Sequence, residues 1–256
     1  MNTLALTDLE SAAFERDGYL VRRGLAPEAL RHQMQRIAGE HLEQLIAPIE
    51  YEIDVQYPGA PANAVAPGAR TSRRLLQAYA RHEVFRTWAT SPDIGDTLKA
   101  LFGSGQDAML SQCHHNCIMT KAPGYSSVTL WHQDNRYWSF DYENLISVWM
   151  ALGNEDRQNG CLRVIPGSHK LTLDSGRFDA ALFLRPDLPE NKTLIGQAEV
   201  VELLPGDVLF FHSRLFHAAG RNLSDETKLS VVFTYHEAGN HPIHDTRSAR
   251  FPSIRL

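Results

Sequence analysis

Trp131-His132-Gln133-Asp134 sets an imidazole and a carboxylate two positions apart in a run with strand character. Alternate side chains of a strand share a face, so His132 and Asp134 can converge on one ion. One more histidine from a neighbouring strand would complete a set of two imidazoles and one carboxylate. Such a set holds Fe(II) by one face and leaves three positions open. Phe216-His217-Ala218-Ala219-Gly220, in another strand-like segment, offers His217 for that place, and His212 just before it is the competing histidine. A second cluster, Cys113-His114-His115-Asn116-Cys117, brings four zinc-ligand side chains close together. Structural zinc sites join one close cysteine pair to a second, distant pair, and only Cys161 remains, so zinc is not expected there.

Two kinds of segment must position these residues. Thr7-Asp8-Leu9-Glu10 reads as a capping box opening a helix that Asp17-Gly18 ends, before a Tyr19-Leu20-Val21 strand. Pro27 suits the start of a second helix carrying Leu30, Met34 and Ile37. Tyr57 to Gly68 is a loop in a position to act as a lid, and a third helix is expected near Leu75–Thr87. Ser91-Pro92-Asp93 caps a fourth helix bearing Ile94, Leu98 and Leu101. After Gly103-Ser104-Gly105 the texture turns to short apolar runs. Strands are expected near Ala108–Lys121, Val128–Asp134, Leu145–Leu152, Leu162–Pro166, Ala198–Leu203, Val208–His212, Phe216–Ala218 and Leu229–His236. Helices first and strands after argue for a mainly β fold with flanking helices. The expected organisation is a single domain over 1–256, with a helical layer to about 103, a β core over about 104–240 and a C-terminal tail from 241.

The 256 residues are 43% hydrophobic and 21% charged, the profile of a folded globular chain. A net charge of −5 without blocks of either sign gives no footprint for nucleic acid. Three cysteines suit a reducing compartment, the opening residues lack a basic leader, and no apolar run is long enough for a membrane span. The expectation is a cytoplasmic protein with a small-molecule substrate and no membrane partner; oligomeric state stays open.

Between the two candidate ligand segments lie Asn159-Gly160-Cys161-Leu162-Arg163-Val164-Ile165-Pro166-Gly167-Ser168-His169-Lys170 and Leu204-Pro205-Gly206-Asp207-Val208-Leu209-Phe210-Phe211-His212. With these and the Asp17-Gly18-Tyr19-Leu20-Val21 opening, the sequence resembles the phytanoyl-CoA dioxygenase-like (PhyH) family of Fe(II)/2-oxoglutarate-dependent oxygenases, from about Ala108 to His236. The resemblance implies a double-stranded β-helix, a cupin-like jelly roll, with His132, Asp134 and His217 as metal ligands and Fe(II), 2-oxoglutarate and O2 as reactants. Gly220, Asn222 and Ser224 match the turn after the distal histidine, and His212 is then a supporting or core group.

Relatives usually bind the distal carboxylate of 2-oxoglutarate with an arginine about eleven residues past that histidine. Lys228 stands there instead, a point charge without the planar two-pronged grip, and Arg221 in the turn is the other candidate. The resemblance also assigns Thr129 to the co-substrate, although strict alternation turns it away from His132. It places His115, Asn116 and Lys121 on a pocket-lining strand. Gln133, Asn135, Tyr137 and Trp138 become candidate substrate walls, with core packing as the rival use of Trp138 and Phe140; Trp149 reads as core. The implied reaction is hydroxylation with release of succinate and CO2. Desaturation, cyclisation or epimerisation would use the same metal set. Retention of Asp134 argues against halogenation, and a non-catalytic jelly-roll metal- or ligand-binding protein is the reading from another class.

Overall fold

The computed structural model describes residues 5–55 and 57–256. Helix α1 (Asp8–Asp17) opens on the expected capping box: Glu10 N–H donates to Thr7 Oγ1, and Thr7 N–H donates to the Glu10 carboxylate. It ends at Gly18, whose φ of 80° only glycine adopts freely. The chain runs on through β1 (Tyr19–Arg22) into α2 (Glu28–Glu43), which starts after Pro27. Next come β2 (Ile49–Tyr51) and β3 (Ser72–Leu76), then α3 (Ala78–Arg81), α4 (Glu83–Ala89) and α5 (Pro92–Phe102). The helix expected over Leu75–Thr87 is thus a strand followed by two short helices. Leu75 and Leu76 pair with Ile118 and Cys117, and this cross-strand burial overrides the helical spacing.

The remaining strands are β4 (Ala108–Lys121), β5 (Thr129–His132), β6 (Leu145–Ala151), β7 (Leu162–Val164), β8 (Glu199–Val201), β9 (Val208–His212), β10 (His217–Ala219), β11 (Lys228–Glu237) and β12 (Ile254–Arg255). Helix α6 (Pro189–Ile195), not foreseen, lies between β7 and β8. The larger antiparallel sheet runs β1-β9-β6-β11-β4-β3-β2, with β12 against β4; the smaller runs β5-β10-β7-β8. The arrangement is a jelly roll, to which the first hundred residues add three strands as well as helices. The C-terminal residues are tied back by β12 and by Leu256 N–H to Ala108 O.

Burial of the large sheet on both faces explains why its strands read as unbroken apolar runs. On β6, β9 and β11, Ile146, Val148, Met150, Phe210, Val231 and Phe233 pack against the helices through Met34, Phe85, Trp88 and Leu98. Their alternates Trp149, Ala151, Leu209, Phe211 and Val232 face the small sheet, against Leu162, Val164 and Leu203. That inter-sheet face also carries the buried polar residues Ser147, Thr234, Ser230 and Lys228, a line that positions the site. No described helix is long and apolar enough to cross a membrane.

Candidate functional site

His132 and His217 are direct cross-strand partners in the β5–β10 pair, their ring centroids 4.3 Å apart. Asp134 is not on the strand: β5 ends at His132 and Asp134 opens a 3-10 turn, which still brings its carboxylate to both rings. Its Oδ1 lies 3.7 Å from His132 Nε2 and 3.6 Å from His217 Nε2. All three side chains are buried, and their ligand atoms fall within 4.8 Å of one another.

Each imidazole is set by its other nitrogen. His132 Nδ1–H donates to Leu130 O at 2.8 Å and His217 Nδ1–H to Leu215 O at 3.0 Å, so both Nε2 lone pairs turn toward Asp134. Burial, reinforced by His217, pushes His132 down to about 3 and keeps it a neutral donor. Burial opposes ionisation of Asp134, but His115, His217 and His132 outweigh it and hold its pKa below the usual carboxylate value. Asp134 Oδ1 is buried without a hydrogen-bond partner. A solvent-free carboxylate oxygen aimed at two imidazole lone pairs fits a divalent cation and is otherwise costly.

His115 reaches this centre because β4 bulges. The β4–β11 register passes from Asn116↔Phe233 to Ser111↔Thr234, leaving residues 112–115 out of the ladder. His115 Nδ1 lies 3.5 Å from Asp134 Oδ2 and 3.3 Å from Ser147 Oγ, which is itself 3.4 Å from Asp134 Oδ2. Asn116 turns the other way: its Oδ1 accepts from Tyr79 N–H, and it does not line the inner cavity. Cys113 and Cys117 do not share a site either; Cys113 Sγ meets the Phe251 backbone, and Cys117 packs between the sheets. His212 faces His169 near α1, away from the two ligand imidazoles.

An inner cavity runs between the sheets from His132 and His217 to Lys121 and Lys228. Thr129 lines it, because the β5–β10 register shifts between His217↔His132 and Ala219↔Thr129. That irregularity is the device that returns Thr129 to the His132 side; its hydroxyl accepts from Arg73 Nη2 at 3.2 Å. Arg73 was missed in the sequence, as was Glu155. Lys228 lines the cavity, but its ammonium is held by Glu155 Oε2 at 3.0 Å, with both side chains almost wholly buried. Trp149 Nε1–H and Ser230 Oγ–H also donate to Glu155, so Trp149 is more than core. Lys121, directly opposite Lys228 across the ladder, donates among the described residues only to the carbonyls of Ser127 and Gly220. Burial, then the charges of Lys228 and Arg73, pushes Lys121 down to about 7. Arg221 is exposed, with its guanidinium against Gly59, and lines neither this cavity nor the outer one.

Gly160 closes one wall. With φ at +77° and the space of a Cβ only 2.6 Å from Gly220 O and 2.8 Å from Arg221 O, it has no room for a side chain. Gly160→Ala is expected to lower stability by at least about 1–3 kcal/mol, read as a lower urea midpoint. An unchanged midpoint would show that the 220–221 backbone yields freely.

An outer cavity of about 250 Å³ meets the inner one at Arg74 and His115. Tyr137 and Trp138 line it; Trp138 stands edge-on to His115, and Tyr137 bonds Tyr57 through their hydroxyls at 2.8 Å. Gln133 does not join them, since its side-chain amide donates to Arg214 O on the far side of the strand. Asn135 Oδ1 is buried and unpartnered beside the same turn, on neither cavity wall.

The sequence model of the family described as phytanoyl-CoA dioxygenase (PhyH) matches residues 14–230. The human peroxisomal phytanoyl-CoA dioxygenase is 25% identical over 245 residues, covering 90% of this chain and 68% of that one. The epimerase SnoN, solved with Fe3+, alpha ketoglutarate and nogalamycin RO, superposes with a TM-score of 0.73 at 23% identity, covering 92% of this chain and 85% of that one. EctD from S. alaskensis, solved with 2-oxoglutarate and 5-hydroxyectoine, gives 0.72 at 21% identity, covering 95% and 80%. The two structures share the double-stranded β-helix described above. With two histidines and one aspartate converging inside that fold and the family match spanning most of the sequence, the chain belongs to the PhyH family of Fe(II)/2-oxoglutarate-dependent oxygenases.

Proposed function

We propose that the protein hydroxylates a small molecule, with His132, Asp134 and His217 holding Fe(II) and the inner cavity holding 2-oxoglutarate. The observation that carries this reading is the buried, unpartnered Asp134 Oδ1 facing two imidazole nitrogens whose opposite nitrogens are already bonded. Fe(II), when bound, supplies the meeting point of 2-oxoglutarate and O2 and the oxidising power that ends as hydroxylated product, succinate and CO2. The chain itself binds, orients and excludes water. Lys121 receives the distal carboxylate of 2-oxoglutarate as a cation without a carboxylate of its own, Thr129 donates a hydroxyl beside it, and Arg73 fixes Thr129. Lys228 keeps Glu155 neutralised behind them. His115 and Ser147 orient Asp134, and Tyr137 and Trp138 wall the substrate side. Cyclisation or epimerisation would draw on the same metal set, so the choice among outcomes lies with the outer cavity.

Anaerobic titration of apo-protein with Fe(II) and 2-oxoglutarate is expected to produce the weak visible charge-transfer band of the chelate. Its absence would overturn the assignment. A band without succinate release in air from any substrate would leave a ligand-binding protein.

A further inference from the structure

The outer cavity does not end at Trp138. A second cavity of about 210 Å³ continues past Leu76, His114 and Arg247, which line both, and reaches Arg250. Together they form a groove that begins at His115, beside Asp134, and ends at two arginines from the C-terminal segment.

Charge along this groove is uneven. At the metal end Arg74 is matched by Glu50 at 3.3 Å, and Glu50 also faces Arg73 at 3.6 Å. His114 is pushed down to about 3, first by burial and then by Arg247, and its Nε2 bonds Ser248 Oγ at 2.7 Å, so it is a neutral wall. At the far end the Arg247 guanidinium makes no hydrogen bond or ion pair among the described residues. Among the described residues the Arg250 guanidinium meets only the Phe251 ring, 5.8 Å away. Both arginines are exposed, and an exposed arginine by itself is ordinary. These two differ in forming the wall of a groove whose other end is the candidate metal centre, with an aromatic and aliphatic floor between.

We propose that the primary substrate is a small molecule with a carboxylate or phosphate at the end remote from the carbon that is oxidised. Arg247 and Arg250 receive that anionic group while the apolar body lies over Leu76 and Trp138. Guanidinium suits both anions through paired N–H donors. The inference rests on the oxygenase reading of the metal site, because it takes the His115 end as the reacting end.

The test uses matched probes on the anaerobic protein loaded with Fe(II) and 2-oxoglutarate: phenylacetate, phenyl phosphate and the uncharged phenylacetamide, followed by saturation-transfer NMR. At least one anion is expected to bind about tenfold or more tighter than the amide, as a charge-assisted hydrogen bond allows. Which anion binds tighter separates carboxylate from phosphate. The preference should vanish in Arg247→Ala/Arg250→Ala while the chelate band stays unchanged. Equal binding of amide and anions, binding of neither anion, or a preference that survives in the double variant would overturn the proposal. Loss of the chelate band in wild-type protein would instead overturn the metal reading.

Discussion

Asp134→Ala is expected to remove the Fe(II)/2-oxoglutarate charge-transfer band and turnover together, a loss well beyond about 100-fold. Removing groups that merely orient a metal ligand typically lowers affinity or activity by about 10–100-fold, and deleting the ligand itself must exceed that. No other carboxylate takes its place, since the metal-holding cluster found among the described residues contains Asp134 as its one acid. Ser147→Ala supplies the internal standard. It removes a hydroxyl 3.4 Å from Asp134 Oδ2 and should fall within the smaller range, with the band retained. The apo fold should survive Asp134→Ala, because burial keeps His132 and His115 neutral without the aspartate and the ligand strands are fixed by their ladders. Far-UV circular dichroism and Fe(II) titration read the two effects separately. An Asp134→Ala protein that still formed the chelate would refute the ligand assignment.

The legible part of this site was the part that depends on spacing. His132 and Asp134 two apart, with a strand-like histidine segment downstream, announce convergence, and β4 and β9 stand at the ends expected of them because turn residues bound their apolar runs. What could not be read depends on pairing between distant segments. Arg73 and Arg74 look like surface charges ahead of a helix until β3 joins β4 and carries them against Glu50 and Glu52. Glu155, in Gly153-Asn154-Glu155-Asp156, has the appearance of a solvated turn acid; only closure of the two sheets brings it to Lys228. The bulges that re-aim His115 and Thr129 leave no compositional trace, for they are set by which residues the partner strand happens to face.

The two lysines opposite each other on β4 and β11 should separate co-substrate binding from stability. Like charges directly across a ladder repel, and the Glu155 carboxylate pairs directly with Lys228. Lys228→Met strands a buried carboxylate and is expected to lose about 3–5 kcal/mol of unfolding free energy in urea. Lys121→Met removes a half-buried ammonium whose partners among the described residues are two carbonyls, keeps most of its volume, and should leave stability nearly unchanged. Its effect falls on 2-oxoglutarate, whose affinity should drop at least about tenfold, while pyruvate, which lacks the distal carboxylate, binds as before. The pH dependence follows from the same geometry. Lys121 is surrounded by Lys228 on β11 and Arg73 on β3, with Glu52 and Glu155 as the offsetting acids, and with burial the largest influence its pKa falls to about 7. The carboxylate binds the protonated form, so affinity is highest below about pH 7 and declines by roughly tenfold per unit above it until the pH passes the raised pKa that Lys121 has in the complex. In Lys121→Met the slope disappears. Retained 2-oxoglutarate affinity in Lys121→Met, together with loss of that affinity in a stable Lys228→Met protein, would transfer the anchor to Lys228.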